Sequence, residues 1–133
     1  MCQCLEHYCN SEATLAPLKK SIERPALQRM YMAFEVLRAK EREFPAQLVS
    51  TFLYIANHNG CRQEDLMVGT SLSSSSVSRN VTWLGPKHRS GKDGLKLVYR
   101  EIDPDDPKRY RVYLSRKGEQ MATLLENTLE EKL

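Results

Sequence analysis

Five serines, Ser73, Ser74, Ser75, Ser76 and Ser78, crowd around one cation, Arg79, with Thr82 close behind. A serine becomes a nucleophile only beside a base that takes its proton. The three histidines fall elsewhere: His7 in a terminal tail, His58 at a helix end and His88 in a loop. No glycine pattern cradles a phosphate. An enzyme is therefore not expected, nor is a cofactor or a metal. What remains is hydrogen bonding. Small hydroxyls donate and accept without bulk, and a guanidinium forks onto guanine, which is chemistry suited to a DNA major groove. Capping and simple solvation would use the same residues, so their setting has to decide.

That setting is QEDLMVGTSLSSSSVSRNVTWL, Gln63 to Leu84, which reads as two short helices joined by a tight turn. Leu66 and Val68 supply the apolar side of the first. Thr70, Ser71 and Leu72 form the turn, and Ser73 can cap the second helix by accepting a free amide. Val77, Val81 and Leu84 then recur at i, i+4 and i+7, a buried stripe on the helical period. At about 100° per residue, the opposite face carries Ser75, Arg79 and Thr82, flanked by Ser76, Ser78 and Trp83. It holds no acid. Asn80 lies nearer the buried edge and is expected to be structural. One turn after a leucine-anchored helix, this polar face reads as a recognition helix, with Arg79 on guanine and the hydroxyls of Ser73, Ser74, Ser75, Ser76, Ser78 and Thr82 on bases or phosphates.

The rest of the chain supports that pair. From Pro25 to about Glu43, Leu27, Met30, Tyr31, Phe34 and Leu37 step by three and four, and Met32, Ala33 and Val36 widen the apolar arc. Either the helix packs on its own domain or a second subunit covers it. Pro45 opens a helix with Leu48, Val49, Phe52, Leu53 and Ala56 inside, and Gly60 is placed to stop it in the left-handed conformation. Cys61 is expected in a short extended link with a buried thiol. GPKHRSGKDG reads as a loop whose Lys87 and Arg89 are candidate phosphate contacts. Leu95, Leu97 and Tyr99 alternate with Lys96, Val98 and Arg100 as a strand. DPDDPK from Asp103 to Lys108 is turn chemistry, and Tyr110, Val112 and Leu114 alternate against Arg109, Arg111 and Tyr113. The hairpin forms a wing with a basic outer face. Ser115 caps a last helix in which Met121, Leu125, Leu129 and Leu133 step by four, with Leu124 alongside, and pairing with the first helix across a two-fold axis would bury both stripes.

At 133 residues there is room for one domain with a modest core. No apolar run approaches the ~18 residues of a membrane span, and MCQCLEHYCN lacks the layout of a secretory leader. A cytoplasmic protein without membrane contact is expected. From Arg79 to Lys117 there are eleven Lys or Arg against five Asp or Glu, a net of +6, so the remainder carries −3 within a chain of +3. That asymmetry points to a polyanion on one side. Four cysteines, at positions 2, 4, 9 and 61, make no disulfide framework. Cys2, Cys4, His7 and Cys9 match no zinc spacing, so a reduced tail is the default and redox sensing the minority reading.

Helix, helix-turn-helix and hairpin in this order make the chain resemble the MarR (multiple antibiotic resistance regulator) family over about residues 45 to 125. The residues that carry the likeness are Gln63, Leu66 and Val77-Ser78-Arg79. With them go Tyr99-Arg100, Asp103-Pro104-Asp105-Asp106 and Leu114-Ser115-Arg116-Lys117-Gly118. The likeness implies a mainly α fold with a small β-hairpin (α+β), a winged helix-turn-helix with N- and C-terminal dimerisation helices. Residues 1–20 would be a flexible cysteine-containing tail, 21–44 the N-terminal dimerisation helix, 45–115 the DNA-binding domain and 116–133 the C-terminal dimerisation helix. It further implies a homodimeric regulator, a repressor, binding double-stranded DNA at a pseudo-palindrome, with a wing cation in the minor groove. By spacing from Asp106 that cation falls on Lys108, with Arg109 next to it, which leaves open which of the two enters the groove, and Arg111 is a further candidate DNA contact. Ser71 replaces the family's turn glycine, the loop from Gly85 to Gly94 is longer than usual, and only one helix follows the wing. The long loop and short chain are similar to phage- or mobile-element-borne members. A small-molecule effector in a crevice is also implied. Tyr31, Phe34 and Phe52 would line it, or simply pack the core. The second functional reading is a winged-helix protein-interaction module, an antirepressor or a replication or assembly adaptor, for which Trp83 is the one suitable side chain.

Overall fold

A computed structural model describes residues 21–88 and 90–130. Cys2, Cys4, His7, Cys9, Arg89 and Leu133, and every expectation placed on them, lie outside the described residues. The elements in chain order are α1 (Pro25–Lys40), α2 (Ala46–Asn57), β1 (Cys61–Arg62), α3 (Gln63–Thr70), α4 (Ser74–Leu84), β2 (Val98–Asp103), β3 (Asp106–Leu114) and α5 (Arg116–Glu130). The expected α+β winged helix-turn-helix is the architecture found. The hairpin gains a third strand, because Cys61 pairs with Val112 and Arg62 with Arg111 to give an antiparallel sheet of order β1-β3-β2.

Pro25 sits in the first turn of α1, where its missing N–H is no loss. The helix ends at Lys40 rather than Glu43. Glu41 is already extended, and Phe44, preceding Pro45, is kept out of the helical region by the proline ring. Of the apolar stripe only Ala33 and Leu37 are buried, whereas Leu27, Met30, Tyr31 and Phe34 stay about half exposed. In α2, Leu48, Val49, Phe52 and Ile55 are buried but Leu53 is 44% exposed, contrary to its assignment to the interior. Leu53 follows buried Phe52 by one residue, about 100° round the helix, which turns it off the core toward the α1–α5 side. Gly60 does adopt a positive φ of 89°, but beyond the helix cap, His58, where its N–H donates to the Val112 carbonyl at 2.8 Å. It turns the chain into β1 instead of capping α2.

Two further expectations are corrected. Leu66 is fully buried, yet Val68 is 83% exposed, since residues two apart lie on opposite sides of a helix. Leu95 and Leu97 are buried but belong to no ladder, and the strand starts at Val98. Lys96 adopts a φ of 61°, which breaks the alternation. The amides of Leu95, Lys96 and Leu97 instead donate to the carbonyls of Trp83, Gly85 and Leu84 at 2.8–3.0 Å. A helix leaves its last carbonyls without partners, and this stretch satisfies those of α4. Gly94 is needed there, because a Cβ would fall 2.1 Å from the Gly85 oxygen.

The DPDDPK tract turns more tightly than expected. Only Pro104 and Asp105 lie outside the strands. Asp103 Oδ1 accepts the Asp105 amide at 3.0 Å and Asp106 Oδ1 accepts that of Lys108 at 3.0 Å, so each aspartate closes its own bend. Ser115 caps α5 as expected, accepting the Gly118 amide at 3.0 Å. Leu125 and Thr128 are buried, while Leu124 and Leu129 remain about half exposed. The first and last helices do pack together, but within one chain. The core thus runs from α1 and α5 through α2 to α4 and the sheet, with Phe52, Leu48, Ile55, Leu66, Val77 and Leu84 at its centre.

Candidate nucleic-acid interface

α4 is held by its apolar stripe and by two polar ties. Val77, Val81 and Leu84 are buried. Asn80 is buried as well, and its Nδ2 donates to Thr51 Oγ1 at 3.2 Å, so the structural role expected of it is what it performs. The Ser73 hydroxyl accepts the Ser76 amide at 3.2 Å, capping the helix. Gln63 Nε2 donates to Ser74 Oγ at 2.9 Å and fastens the start of α3 to the start of α4. Between them, Ser71 turns the chain in the left-handed region, at φ 60° and ψ 27°.

With that stripe inward, the opposite face is open. Ser75 and Arg79 are exposed, Ser76, Ser78 and Thr82 half-buried. Arg79 Nη2 donates to Ser76 Oγ at 3.2 Å, which lays the guanidinium along its own helix. A cation not singled out for the interface from the sequence joins this face from the sheet. Arg100 Nη2 lies 3.3 Å from Thr82 Oγ1 and 3.4 Å from the Ser78 carbonyl. Partial burial lowers its pKa, although a guanidinium stays charged at neutral pH. Its signal was present, as the strand residue in the Tyr99-Arg100 pair, but alternation alone does not say which element the strand faces.

The wing cations divide into three kinds. Lys108 is exposed at the hairpin, with no carboxylate partner among the described residues. Arg109 is paired twice: its Nη1 with Glu64 of α3 and its Nε with Asp106 at 3.0 Å. Arg111 is half-buried and turned inward, donating from Nη1 to the Gly60 carbonyl at 2.9 Å and lying 3.4 Å from Asp103 Oδ1. The fully buried Asp103 carboxylate also takes Arg62 Nε at 2.7 Å. The bond from the Asp105 amide, followed by the two guanidiniums, holds its pKa below the usual aspartate value. This knot joins β1, at the foot of α3, to the tip of the wing.

Lys87 is exposed in a loop that folds back on itself through a bridge between Lys87 and Asp93, and the His88 ring meets Trp83 edge-on at 5.3 Å. Between wing and helices lies a cleft lined by Gln63, Ser74, Val81, Arg100, Lys108 and Tyr110 among others. No group of three or more His, Cys, Asp or Glu suited to a metal ion occurs among the described residues. No described helix is long and apolar enough to cross a membrane. Cys61 is buried, and burial, then Asp65, pushes its thiol up to about 11, so it is protonated and unreactive at neutral pH.

No protein-family model matches the sequence, and no curated protein matches it. Solved structures do. The Staphylococcus aureus MepR–DNA complex aligns with a TM-score of 0.59 at 21% identity, covering 78% of this chain and 82% of that one. A MarR transcriptional regulator from Methanosarcina mazei aligns at 0.55 and 16%, covering 76% and 68%. The Streptomyces coelicolor regulator PcaV in complex with its natural ligand aligns at 0.53 and 19%, covering 86% and 78%. At these identities the likeness is one of architecture: the chain has the MarR-type winged helix fold.

Proposed function

We propose that this chain is a sequence-specific, double-stranded DNA-binding transcriptional regulator, a repressor, that acts as a cytoplasmic homodimer on a pseudo-palindromic operator. One observation carries the reading. The open face of α4 presents Ser75, Arg79 and Thr82, backed by Arg100 and without an acid, while its apolar face is fully committed to the core. Arg79 reads guanine, the hydroxyls meet base edges and phosphates, and Lys108 enters the neighbouring minor groove. The MepR–DNA complex is a fold relative seen on DNA, which supports the same use here. Half-exposed Leu27, Met30, Tyr31 and Phe34 of α1, with Leu124 and Leu129 of α5, leave more apolar surface than one protomer covers, and a second copy is its natural cover. Two copies would set their recognition helices about 34 Å apart, one duplex turn.

A small-molecule effector is supported by PcaV bound to its ligand and by a wholly apolar cavity lined by Met30, Phe34, Leu53, Leu125 and Leu129. Of the three aromatics considered for a crevice, Phe34 lines this cavity, whereas Phe52 is core and Tyr31 is exposed. Selection of bound sequences from a random duplex pool tests the whole reading. A symmetric motif is expected, and Arg79→Ala weakens binding by about 1–3 kcal/mol while relaxing base preference at one position of each half-site. An unchanged selected motif for that variant removes α4 as the reading element. The protein-interaction module has less support, because Trp83 is half-buried against His88 rather than displayed. Salt-independent, negligible affinity for duplex DNA would favour it.

A further inference from the structure

Cross-strand pairing sets Ile102 directly opposite Tyr110. Along the same face of the sheet come Arg100 opposite Val112 and Val98 opposite Leu114. Val98, Val112 and Leu114 are buried, so this face is the one turned toward the body and α4. Where the hairpin extends past the body, an apolar pair on this face loses its cover, with Ile102 60% exposed and Tyr110 54% exposed. A single exposed apolar side chain needs no explanation. A tyrosine that lines a cleft flanked by cations, with an isoleucine paired beside it, is a different case. Tyr110 lines that cleft together with Gln63 and Ser74 of the helices and Arg100 and Lys108 of the wing. Glu64, the acid that lines it, is taken up by Arg109, which also pairs with Asp106, and Glu101 sits on the opposite face, across from Arg111.

Adjacent major and minor grooves of a duplex are separated by one sugar–phosphate strand. A protein with α4 in the first and the wing tip in the second straddles that strand, and the cleft between them is what the strand meets. Its phosphates face Arg100 and Lys108. Its deoxyribose carbons offer an apolar edge, for which an uncharged, wide side-chain pair is the matching surface. We propose that Ile102 and Tyr110 form a seat for the deoxyriboses of the straddled strand, an uncharged contact distinct from base reading and from phosphate pairing. This rests on the DNA-binding reading above.

The test measures affinity for a mixed-sequence DNA duplex by fluorescence anisotropy at several salt concentrations, for wild type, Ile102→Thr, Tyr110→Thr and the double variant. Threonine keeps strand propensity at both positions, and thermal unfolding with sedimentation velocity follows each protein. An apolar contact releases no counterions, so the double variant binds about tenfold more weakly with the wild-type salt slope, unlike a lost cation, which flattens it. Tyr110→Phe, which keeps the ring, retains wild-type affinity. Unchanged affinity in the double variant overturns the seat, as does a flattened slope. A change in sedimentation without a change in DNA affinity overturns it too, and assigns the pair to a second copy. If the wild type itself lacks salt-dependent affinity, the DNA reading fails rather than the seat alone.

Discussion

Lys108 and Arg109 are neighbours at the wing, but the structure gives them different electrostatic histories, and salt titration separates them. Lys108 has no carboxylate partner among the described residues, so a phosphate reached by it displaces a condensed counterion. Arg109 already sits between Glu64 and Asp106. Moving it to a phosphate exchanges one anion for another and leaves two carboxylates near the DNA. Each fully engaged cation contributes about 0.9 to the slope of log affinity against log salt. In the proposed homodimer, Lys108→Ala therefore lowers that slope by about 1.8. Between about 50 and 200 mM salt, the wild type then loses roughly 12-fold more affinity than the variant. Arg109→Ala lowers the slope by less than half as much. Glu64→Gln raises both slope and affinity, because it frees the guanidinium from an exposed pair worth at most about 1 kcal/mol. Anisotropy titrations on one duplex measure all three. Equal flattening by Lys108→Ala and Arg109→Ala would refute the argument, since it would mean that the Glu64 pair does not survive beside DNA.

Other expectations concern the scaffold. Ser71 holds a left-handed conformation that costs a non-glycine residue roughly 1–2 kcal/mol, partly offset by the greater unfolded entropy of glycine. Ser71→Gly is expected to stabilise the protein by about 0.5–1 kcal/mol in urea titration, and a loss of stability would argue for a hydroxyl contact. Asp103 has a depressed pKa in the fold, so the stability it contributes is fully present above the ordinary aspartate value of about 3.9 and is lost as pH falls through the folded value. Asp103→Asn should flatten the acid limb of the stability profile, and an unaltered limb would place the titration elsewhere. The Cys61 thiol, pushed up to about 11, should resist alkylation at pH 7–8 until the protein is unfolded. Rapid labelling of the folded chain at Cys61 would contradict its burial.

The second helix of the helix-turn-helix was legible in the sequence because its information is local. A stripe at i, i+4 and i+7 and a serine cap are set by residues within two turns, and the burial of Val77, Val81 and Leu84 with the Ser73 bond bears this out. Cys61 was legible for the same reason. The failures have a common cause in longer range. Val68 looked apolar enough to be buried, but α3 has one packed side and Leu66 occupies it. Leu95 and Leu97 alternate as a strand would, yet the free carbonyls at the end of α4 claim their amides before β3 can.

By itself, the sequence determined the order of elements, the inward side of α4 and the basic character of the segment that follows, since each depends on periodicity or composition. Tertiary structure alone decided which of the cations are available. Arg111 is spent on Asp103 and Gly60, Arg109 on Glu64, and Arg100 is brought from β2 onto the face of α4. Charge pairing falls off over a few ångströms, and, Asp103 aside, those partners lie far apart along the chain. Only packing of the wing on the helices could set them side by side.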